Sequence, residues 1–324
     1  MNIAVLADIH GNLPALEAVR AELERLQPDY VILNGDLING TPFSPEVVAT
    51  VRDLNWLVVR GNHEFYYLDW GTERAVPNAD DSSRWGQLHW LVDHLDPASG
   101  DYLAALPDER TLYFPGTQPI RVAHGVPGRN RVGFYNGQPE EKIVDEIKEL
   151  PEATLVSAHT HVQIDRHVRW NDDPTELLDS MPHWDFFTGK SNGLRRQWHI
   201  VNPGSAGLPL NGDCRAQFAI LSDVPEHEEP GGWRVTHHQV EYDRRPTLEA
   251  FETTGMMEAG GVISQLFYWE VVTAQSEIIT FFRWAYHNGY DPDSSMEDTF
   301  AAYLAATKRD KVVRALDPLH NNKV

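Results

Sequence analysis

Residues 1–12 read MNIAVLADIHGN, and the short apolar run inside them, Ile3 to Ala7, decides how the rest of the chain is read. The run is too short for a helix, and an unbroken apolar run that opens an α/β chain is expected to be a strand buried on both faces. Asp8 and His10 then emerge at its carboxyl end. In open α/β sheets, ligands sit in the crevice outside the carboxyl ends of the strands, so a carboxylate and an imidazole two residues apart arrive where chemistry is usually placed. Asp-x-His alone carries little, because the same residues serve equally as a helix-capping Asp and a loop His.

Outward from this strand, Leu13, Leu16, Val19, Leu23 and Leu26 recur at helical spacing, with Asn12 placed to cap and Pro14 in the first turn. Tyr30 to Leu33 is the next apolar run and ends in Asn34-Gly35-Asp36. A second helix is expected from Ser44-Pro45 to about Arg52, and Trp56 to Val59 forms a third strand ending in Arg60-Gly61-Asn62-His63-Glu64. Right-handed crossovers make these strands parallel, which sets Asp8, His10, Asp36, Asn62 and His63 on one side of one sheet.

Residues 65–110 break the rhythm with Phe65, Tyr66, Tyr67, Trp70, Trp85 and Trp90 in a mostly helical stretch, read as a cap beside the site. A hydrophobic cluster beneath an insertion and a stacking platform for a substrate both fit it. Ile120 to Ala123 is a strand ending in His124-Gly125, Pro139 to Leu150 a helix, and Thr154 to Ser157 a strand ending in Ala158-His159-Thr160-His161. Residues 170–194 read as a polar loop insertion. Gln197 to Val201, Ala216 to Leu221 and Trp233 to Tyr242 follow without helices between them and read as antiparallel strands of a second sheet. From about Pro246 the period is helical to the end, with an aromatic-rich segment from Phe267 to Tyr286 that wants a surface to cover.

The 324 residues suffice for a full core. A single cysteine, Cys214, excludes a disulfide scaffold and suits a reducing compartment. No charged start leads into an apolar segment and no run of about 18 apolar residues occurs, so a soluble cytoplasmic protein without membrane contact is expected. The 48 acidic and 27 basic residues give a net charge of −21. That field repels nucleic acid and anionic membrane, so no large nucleic-acid interface is expected. Metal ions among clustered carboxylates would supply a local cationic centre able to hold one phosphate.

Collected in order, the strand-end residues are ADIH (7–10), NGDL (34–37), RGNHE (60–64), AHG (123–125) and AHTH (158–161). They resemble the signature of the calcineurin-like metallophosphoesterase superfamily, with Ala158 where that pattern usually has Gly. Asn202-Pro203-Gly204-Ser205 and Gly212-Asp213-x-Arg215 are similar to its small bacterial and archaeal phosphodiesterase-type branch. The resemblance covers roughly residues 1–245. It implies an α/β (α+β) fold, a four-layer α/β/β/α sandwich, here with a helical insertion at about 65–110, the loop insertion at 170–194 and a helical C-terminal extension over 246–324.

The resemblance also implies two divalent transition metal ions bridged by Asp36, with Asp8, His10 and His161 completing one site and Asn62, His124 and His159 the other. A carboxylate is the side chain that bridges two cations, and imidazoles favour Mn, Fe, Co, Ni or Zn over Mg or Ca; manganese is the favoured ion. Asn62 contributes through its amide oxygen, because its nitrogen has no free lone pair. Two such ions hold a bridging hydroxide as nucleophile and clamp phosphoryl oxygens. His63 resembles the family's catalytic histidine, placed to protonate the leaving alkoxide. Arg60, Arg129 and Arg131 are candidate phosphate contacts, Arg60 equally an ion-pair partner, and Arg129 and Arg131 equally parts of a solvated loop. Glu64 and Asp165 are candidates to orient ligand histidines. His237 and His238 are expected to be structural or surface residues.

The expected function is therefore metal-dependent hydrolysis of a phosphodiester or a small phosphorylated molecule. A diadenosine tetraphosphate hydrolase and a serine/threonine phosphoprotein phosphatase are alternatives within the enzyme class, and the aromatics after Glu64 favour a nucleotide. A catalytically silent metal-binding scaffold is the alternative of another class, against which the complete set of ligands and His63 weighs. The aromatic tail is expected to support homo-oligomer formation.

Overall fold

The computed structural model describes residues 1–171 and 195–321. In chain order they form β1 (Asn2–Leu6), α1 (Leu13–Leu26), β2 (Tyr30–Asn34), α2 (Ser44–Arg52), β3 (Leu57–Val59), α3 (Asn62–Leu68), α4 (Ser82–His94) and α5 (Pro97–Ala105). Next come β4 (Glu109–Leu112), β5 (Ile120–Ala123), α6 (Glu140–Ile147), β6 (Thr154–Val156), β7 (Gln163–Asn171), β8 (Arg195–Pro203), β9 (Ala216–Asp223) and β10 (Trp233–Val240). Five helices follow: α7 (Arg245–Thr253), α8 (Met256–Thr273), α9 (Glu277–His287), α10 (Met296–Thr307) and α11 (Arg309–Leu316). No helix of the described residues is long and apolar enough to cross a membrane.

The described strands make two mixed sheets, in the orders β10-β9-β1-β2-β3 and β4-β5-β6-β8-β7. Strand β1 shows why the sheets stack. Its side chains alternate in direction, as they must in a strand. Ile3 and Val5 join Ile32 and Val59 of the first sheet and Val122, Val156 and Val201 of the second in one apolar layer between the sheets. Ala4 and Leu6 instead face helices α1 and α2, through Leu16, Val19, Val47 and Val51. Outside the second sheet, Leu155, Val168, Trp198 and Ile200 meet Ile143, Val144 and Ile147 of α6. The result is an α/β/β/α sandwich. Truncating a fully buried β1 side chain such as Leu6 to Ala costs about 2–5 kcal/mol.

The sheet membership of two late strands differs from the sequence expectation. β8 lies in the second sheet, antiparallel to β7 and parallel to β6, whereas β9 adds antiparallel to the free edge of β1 in the first sheet and β10 pairs antiparallel with β9. Alternation identifies a strand but not its partner, and β1 offers an apolar edge that β9, buried along most of its length, can cover. Strands β4 and β7 have no apolar run to betray them. β7 carries Asp165, Arg166, His167 and Arg169 and pairs as an edge strand with β8, through residue 171. The remainder of the expected loop insertion, residues 172–194, lies outside the described residues.

The cap and the C-terminal helices share one core with α1 and α2. Helix α4 crosses α8 at small residues: a Cβ on Gly86 would lie 2.0 Å from the Ala259 carbonyl oxygen. The Trp90 indole donates to the Thr254 carbonyl at 3.1 Å, and Arg244 donates to the Val271 and Val272 carbonyls at the end of α8, at 3.1 and 2.8 Å. Asn12, the α1 cap, also accepts from the Thr247 hydroxyl at 2.9 Å, which ties α7 to the start of α1. Tyr66, Tyr67, Trp70 and Trp85 pack against this same core.

Within the extension, Glu270 is 3% exposed and accepts from the Ile278 amide at 3.1 Å. Burial, with Glu277 beside it, pushes its carboxyl up to about 8, from 4.5 in the unfolded chain. A folded-state value above the unfolded one means that stability is fully present below about pH 4.5 and is lost as pH rises through about 8. Glu270→Gln is therefore expected to raise the melting temperature at pH 8.5, by the equivalent of about 1–3 kcal/mol, and to change it little at pH 4.5. Calorimetry at the two pH values decides, and equal shifts at both would refute the buried-acid assignment.

Candidate metal centre

The carboxyl ends of β1, β2, β3, β5 and β6 open on one crevice, and the chain turns sharply there. Asp8, His10, Asp36, His159 and His161 all sit in the left-handed region, with φ of 54°, 52°, 54°, 69° and 57°. Non-glycine residues adopt this conformation at a cost, and they cluster at sites where the surroundings over-determine it. Here the loops after β1 and β2 continue the ladder beyond the strands: Asp8 N–H donates to Gly35 O at 3.1 Å, His10 N–H to Asp36 O at 2.9 Å and Gly11 N–H to Leu37 O at 2.8 Å. Gly35 and Gly61 permit the closest approaches. A Cβ on Gly61 would fall 2.2 Å from Asp36 Oδ1, and one on Gly35 would fall 2.6 Å from His124 Nδ1.

Two donor groups result, Asp8, His10, Asp36 and His161 in one, and Asp36, His124 and His159 in the other, each with its donor atoms within 4.8 Å of one another. Asp36 is common to both. Its Oδ2 lies 3.6 Å from His10 Nε2 and 3.1 Å from His124 Nε2. Asn62 Oδ1 stands 3.1 Å from His124 Nε2 and 2.8 Å from His159 Nδ1, completing the second group. All seven residues that the sequence singled out as ligands are thus brought together, six of them buried and His159 half-buried.

The donors suit divalent transition metal ions. His10, His124 and His161 each place Nδ1 against a backbone carbonyl, Asn39 O at 3.1 Å, Asn34 O at 2.8 Å and Leu208 O at 2.6 Å. This pattern fixes the tautomer of a ligating histidine and turns the Nε2 lone pair inward. His10 Nε2 and His161 Nε2 face each other at 3.1 Å, and both carboxylate oxygens of Asp8 are buried without a hydrogen-bond partner among the described residues. A fully buried carboxylate is costly unless a cation or donors satisfy it. Burial accordingly pushes the Asp8 carboxyl well above its usual range and lowers His159 to about 4 and His161 to about 3. His124 is the exception: burial opposes its charge, but the carboxylates of Asp36 and Asp8 and the Asn34 carbonyl together outweigh this and raise it to about 10.

His63 lies beside the donors. Its backbone N–H donates to Asp36 Oδ1 at 2.8 Å, its ring meets those of His10 and Tyr66 edge-on at 4.6 and 5.2 Å, and its Nδ1 is buried without a partner among the described residues. Burial holds its proton affinity below the usual histidine value. Arg131 covers the Tyr66 ring at 4.7 Å. Arg60 pairs with Asp108 and donates to the Ala104 carbonyl, while Arg129 pairs with Glu146. Both arginines line a cavity of about 540 Å³ beside His124, with Phe65, Asp108 and Glu109.

Two assignments need correction. Glu64 orients backbone rather than a ligand imidazole: Oε2 accepts from the Asp36 and Gly61 amides at 2.9 and 2.6 Å, and Oε1 from Leu37 at 2.7 Å. Asp165 orients His199, at 2.7 Å, outside the two donor groups. His237 and His238 have structural surroundings, the Asn202 carbonyl at 3.0 Å and the Phe218 ring at 4.8 Å. Sequence reading missed Asn202 as a brace, whose amide donates to Ala158 O and Thr160 Oγ1 at 3.0 and 3.1 Å and holds the His159–His161 turn. Its only signal was membership in the Asn-Pro-Gly-Ser run. Ala158 is not in the left-handed region, which explains why a residue other than glycine fits.

Replacing Glu64 by Gln sets an amide NH2 against two backbone N–H groups. Glu64→Gln is expected to destabilise the fold by about 1–3 kcal/mol and to lower the bound metal recovered with the protein. Unchanged thermal melting and metal content would refute the clamp.

Comparison with known proteins places this geometry. An uncharacterized protein of Methanocaldococcus jannaschii is 24% identical over 256 residues, covering 76% of this chain and 90% of its own. A metallophosphoesterase from Sphaerobacter thermophilus superposes with a TM-score of 0.57 at 26% identity, over 85% of this chain and 100% of that one. A hypothetical protein from Pyrococcus horikoshii OT3 shares the fold, with a TM-score of 0.60 at 19% identity, over 82% of this chain and 97% of its own. The calcineurin-like phosphoesterase family profile matches residues 1–188, more than half of the chain, and with the donor groups already described the protein belongs to that family.

Proposed function

We propose that the chain is a binuclear metal-dependent phosphoesterase that hydrolyses a phosphodiester or another small phosphorylated molecule. Asp36 carries this reading: one buried carboxylate is shared by two donor groups built from imidazole, carboxylate and amide oxygen. Asp8, His10, Asp36 and His161 would hold one ion, and Asp36, Asn62, His124 and His159 the other, manganese being favoured. Two divalent ions held there supply a nucleophilic oxygen at neutral pH and offset charge on the phosphoryl oxygens.

The protein's own part is positioning and proton transfer. The carbonyl partners of His10, His124 and His161 keep their rings fixed, so the donors do not reorganise as substrate binds. The oxygen–phosphorus bond forms opposite the ester oxygen that leaves, and that oxygen takes its proton from His63. His63 is neutral in the free site because of burial, and an anionic phosphate beside it favours the protonated form needed for this transfer. The cavity next to His124 accommodates the remaining part of the substrate. Tyr66, backed by Trp85 and covered by Arg131, presents an aromatic and cationic edge next to His63, which favours a nucleotide over a phosphoprotein. A dinucleotide hydrolase is the narrower form of this reading. A silent scaffold is disfavoured by the intact donors and by His63. Residues 1–245 would form the metallophosphoesterase domain and 246–324 its helical extension, whose exposed Ile279, Tyr286, Val312 and Leu316 offer a surface for self-association.

Metal-stripped protein is expected to hydrolyse bis-p-nitrophenyl phosphate only after manganese is added, and faster than p-nitrophenyl phosphate. Asp36→Asn should lower turnover about 1,000-fold or more, and unchanged turnover would sink the shared-carboxylate assignment. His63→Ala should retain metal while turnover of esters with poor leaving groups falls about 100- to 10,000-fold. Loss of metal in that variant would make His63 a ligand instead.

A further inference from the structure

A second group of donors lies away from the crevice, where the edge of the second sheet meets the turn between β9 and β10. His167 of β7 and His199 of β8 are directly opposite each other in the antiparallel register, and Asp165 is two residues before His167 on the same face. The two imidazoles stack with ring centroids 4.2 Å apart and planes 29° from parallel. His199 Nε2 is 2.7 Å from Asp165 Oδ1, and His167 Nε2 is 2.6 Å from Glu229 Oε1 in that turn. The His199 side chain is 1% exposed, and the Nδ1 atoms of both rings are buried without a hydrogen-bond partner among the described residues.

This arrangement satisfies only half of each imidazole. A buried nitrogen left without a partner costs about 1–3 kcal/mol, so two stacked rings that each orphan one nitrogen form an unfavourable end state for a polar cluster. His167 shows the pattern of a ligating histidine, with one nitrogen held by the Glu229 carboxylate and the other free to bind metal. One nitrogen from each ring and one oxygen of Asp165 already lie within 4.8 Å of one another. A tetrahedral ion with bonds of about 2.0–2.2 Å needs its donors roughly 3.4 Å apart, a closure of about an ångström that side-chain rotation can supply. Asp165 is 46% exposed on its side chain and leaves a path for the ion to enter.

We propose that Asp165, His167 and His199, with Glu229 orienting His167, form a third metal site, selective for a zinc-like transition ion and separate from the two groups that share Asp36. Two imidazoles with one or two carboxylates are a donor set for Zn, Co or Mn rather than for Mg or Ca. The ion fastens edge strand β7 to strand β8, and the Glu229–His167 contact links them to the β9–β10 turn, so the margins of the two sheets are joined. Its role is structural, since the donors sit along β7 and β8 rather than at the crevice mouth.

The test is zinc binding by the full chain, with wild type, His167→Ala and Glu229→Gln compared by equilibrium dialysis and thermal melting. One zinc equivalent per chain is expected to disappear in His167→Ala, and Glu229→Gln should bind that equivalent at least about tenfold more weakly. In an Asp36→Asn background, zinc should raise the melting temperature by about 5–10 °C, and adding His167→Ala should abolish the rise. Manganese-dependent ester turnover should stay at the wild-type level in His167→Ala, which separates this site from the one proposed for catalysis. Equal zinc stoichiometry in wild type and His167→Ala would overturn the proposal. If His167→Ala does not fold, anomalous diffraction from zinc-soaked wild-type crystals decides: a peak between His167 and His199 supports the site, and its absence refutes it.

Discussion

The buried carboxylate of Glu64 is the contact on which the crevice depends, because it gathers the amides of Asp36, Leu37 and Gly61 onto one side chain. Those amides belong to the loops after β2 and β3, whose pairing with each other stops where the strands end. Without an acceptor they would be buried donors. With it, Gly61 and Asp36 are drawn so close that no side chain fits on residue 61. Burial and the nearby charge of Asp36 raise Glu64 to about 7, so the clamp itself is under electrostatic load. Five left-handed non-glycine residues cost roughly 1–2 kcal/mol each, a sum comparable with the whole stability of many domains. The apolar layers on both faces of β1 and the continued pairing beyond its end are what make that conformation tolerable.

The electrostatics of the crevice follow from the same enclosure. Among the described residues Asp8 has no donor for either oxygen, His10 and His161 turn their Nε2 atoms toward each other, and Asp36 is contested by histidines on both sides. Such a group is poorly satisfied by protons alone, since each proton that relieves one residue burdens its neighbour. A bound cation would relieve several of them together. The chain's net charge of −21 adds a long-range field, and Arg60 and Arg129 near the crevice are already tied to carboxylates.

The cap and the C-terminal helices act on this site indirectly. Gln87 of α4 donates to the Gly40 carbonyl at 3.1 Å, and Gly40 lies against the ring of His10. The neighbouring Asn39 carbonyl holds His10 Nδ1. Helix α8 packs behind α4, and Gln87 also reaches Met256. A continuous line of contacts therefore runs from the extension to one of the donors, and Arg309 of α11, paired with Glu277 of α9, keeps the outer helices in place behind it.

How much was legible in the sequence depends on how local each feature is. The strand ends were readable because a βα unit carries its own signals, an apolar run, a cap such as Asn12 and a helical stripe, and because crossover handedness then sets the side on which Asp8, Asp36 and Asn62 emerge. The spacing of AHG and AHTH placed His124, His159 and His161 by the same logic. The pairing of β9 with β1, the edge position of β7, the three amides on Glu64 and the meeting of Asp165 with His199 were not readable. Each joins residues distant along the chain, and hydrophobic period says which way a side chain points but not what waits there. The sequence by itself determined which residues reach the crevice. Only the tertiary structure decided which backbone groups hold them there, because hydrogen-bond partners are chosen by three-dimensional proximity and leave no periodic trace in the chain.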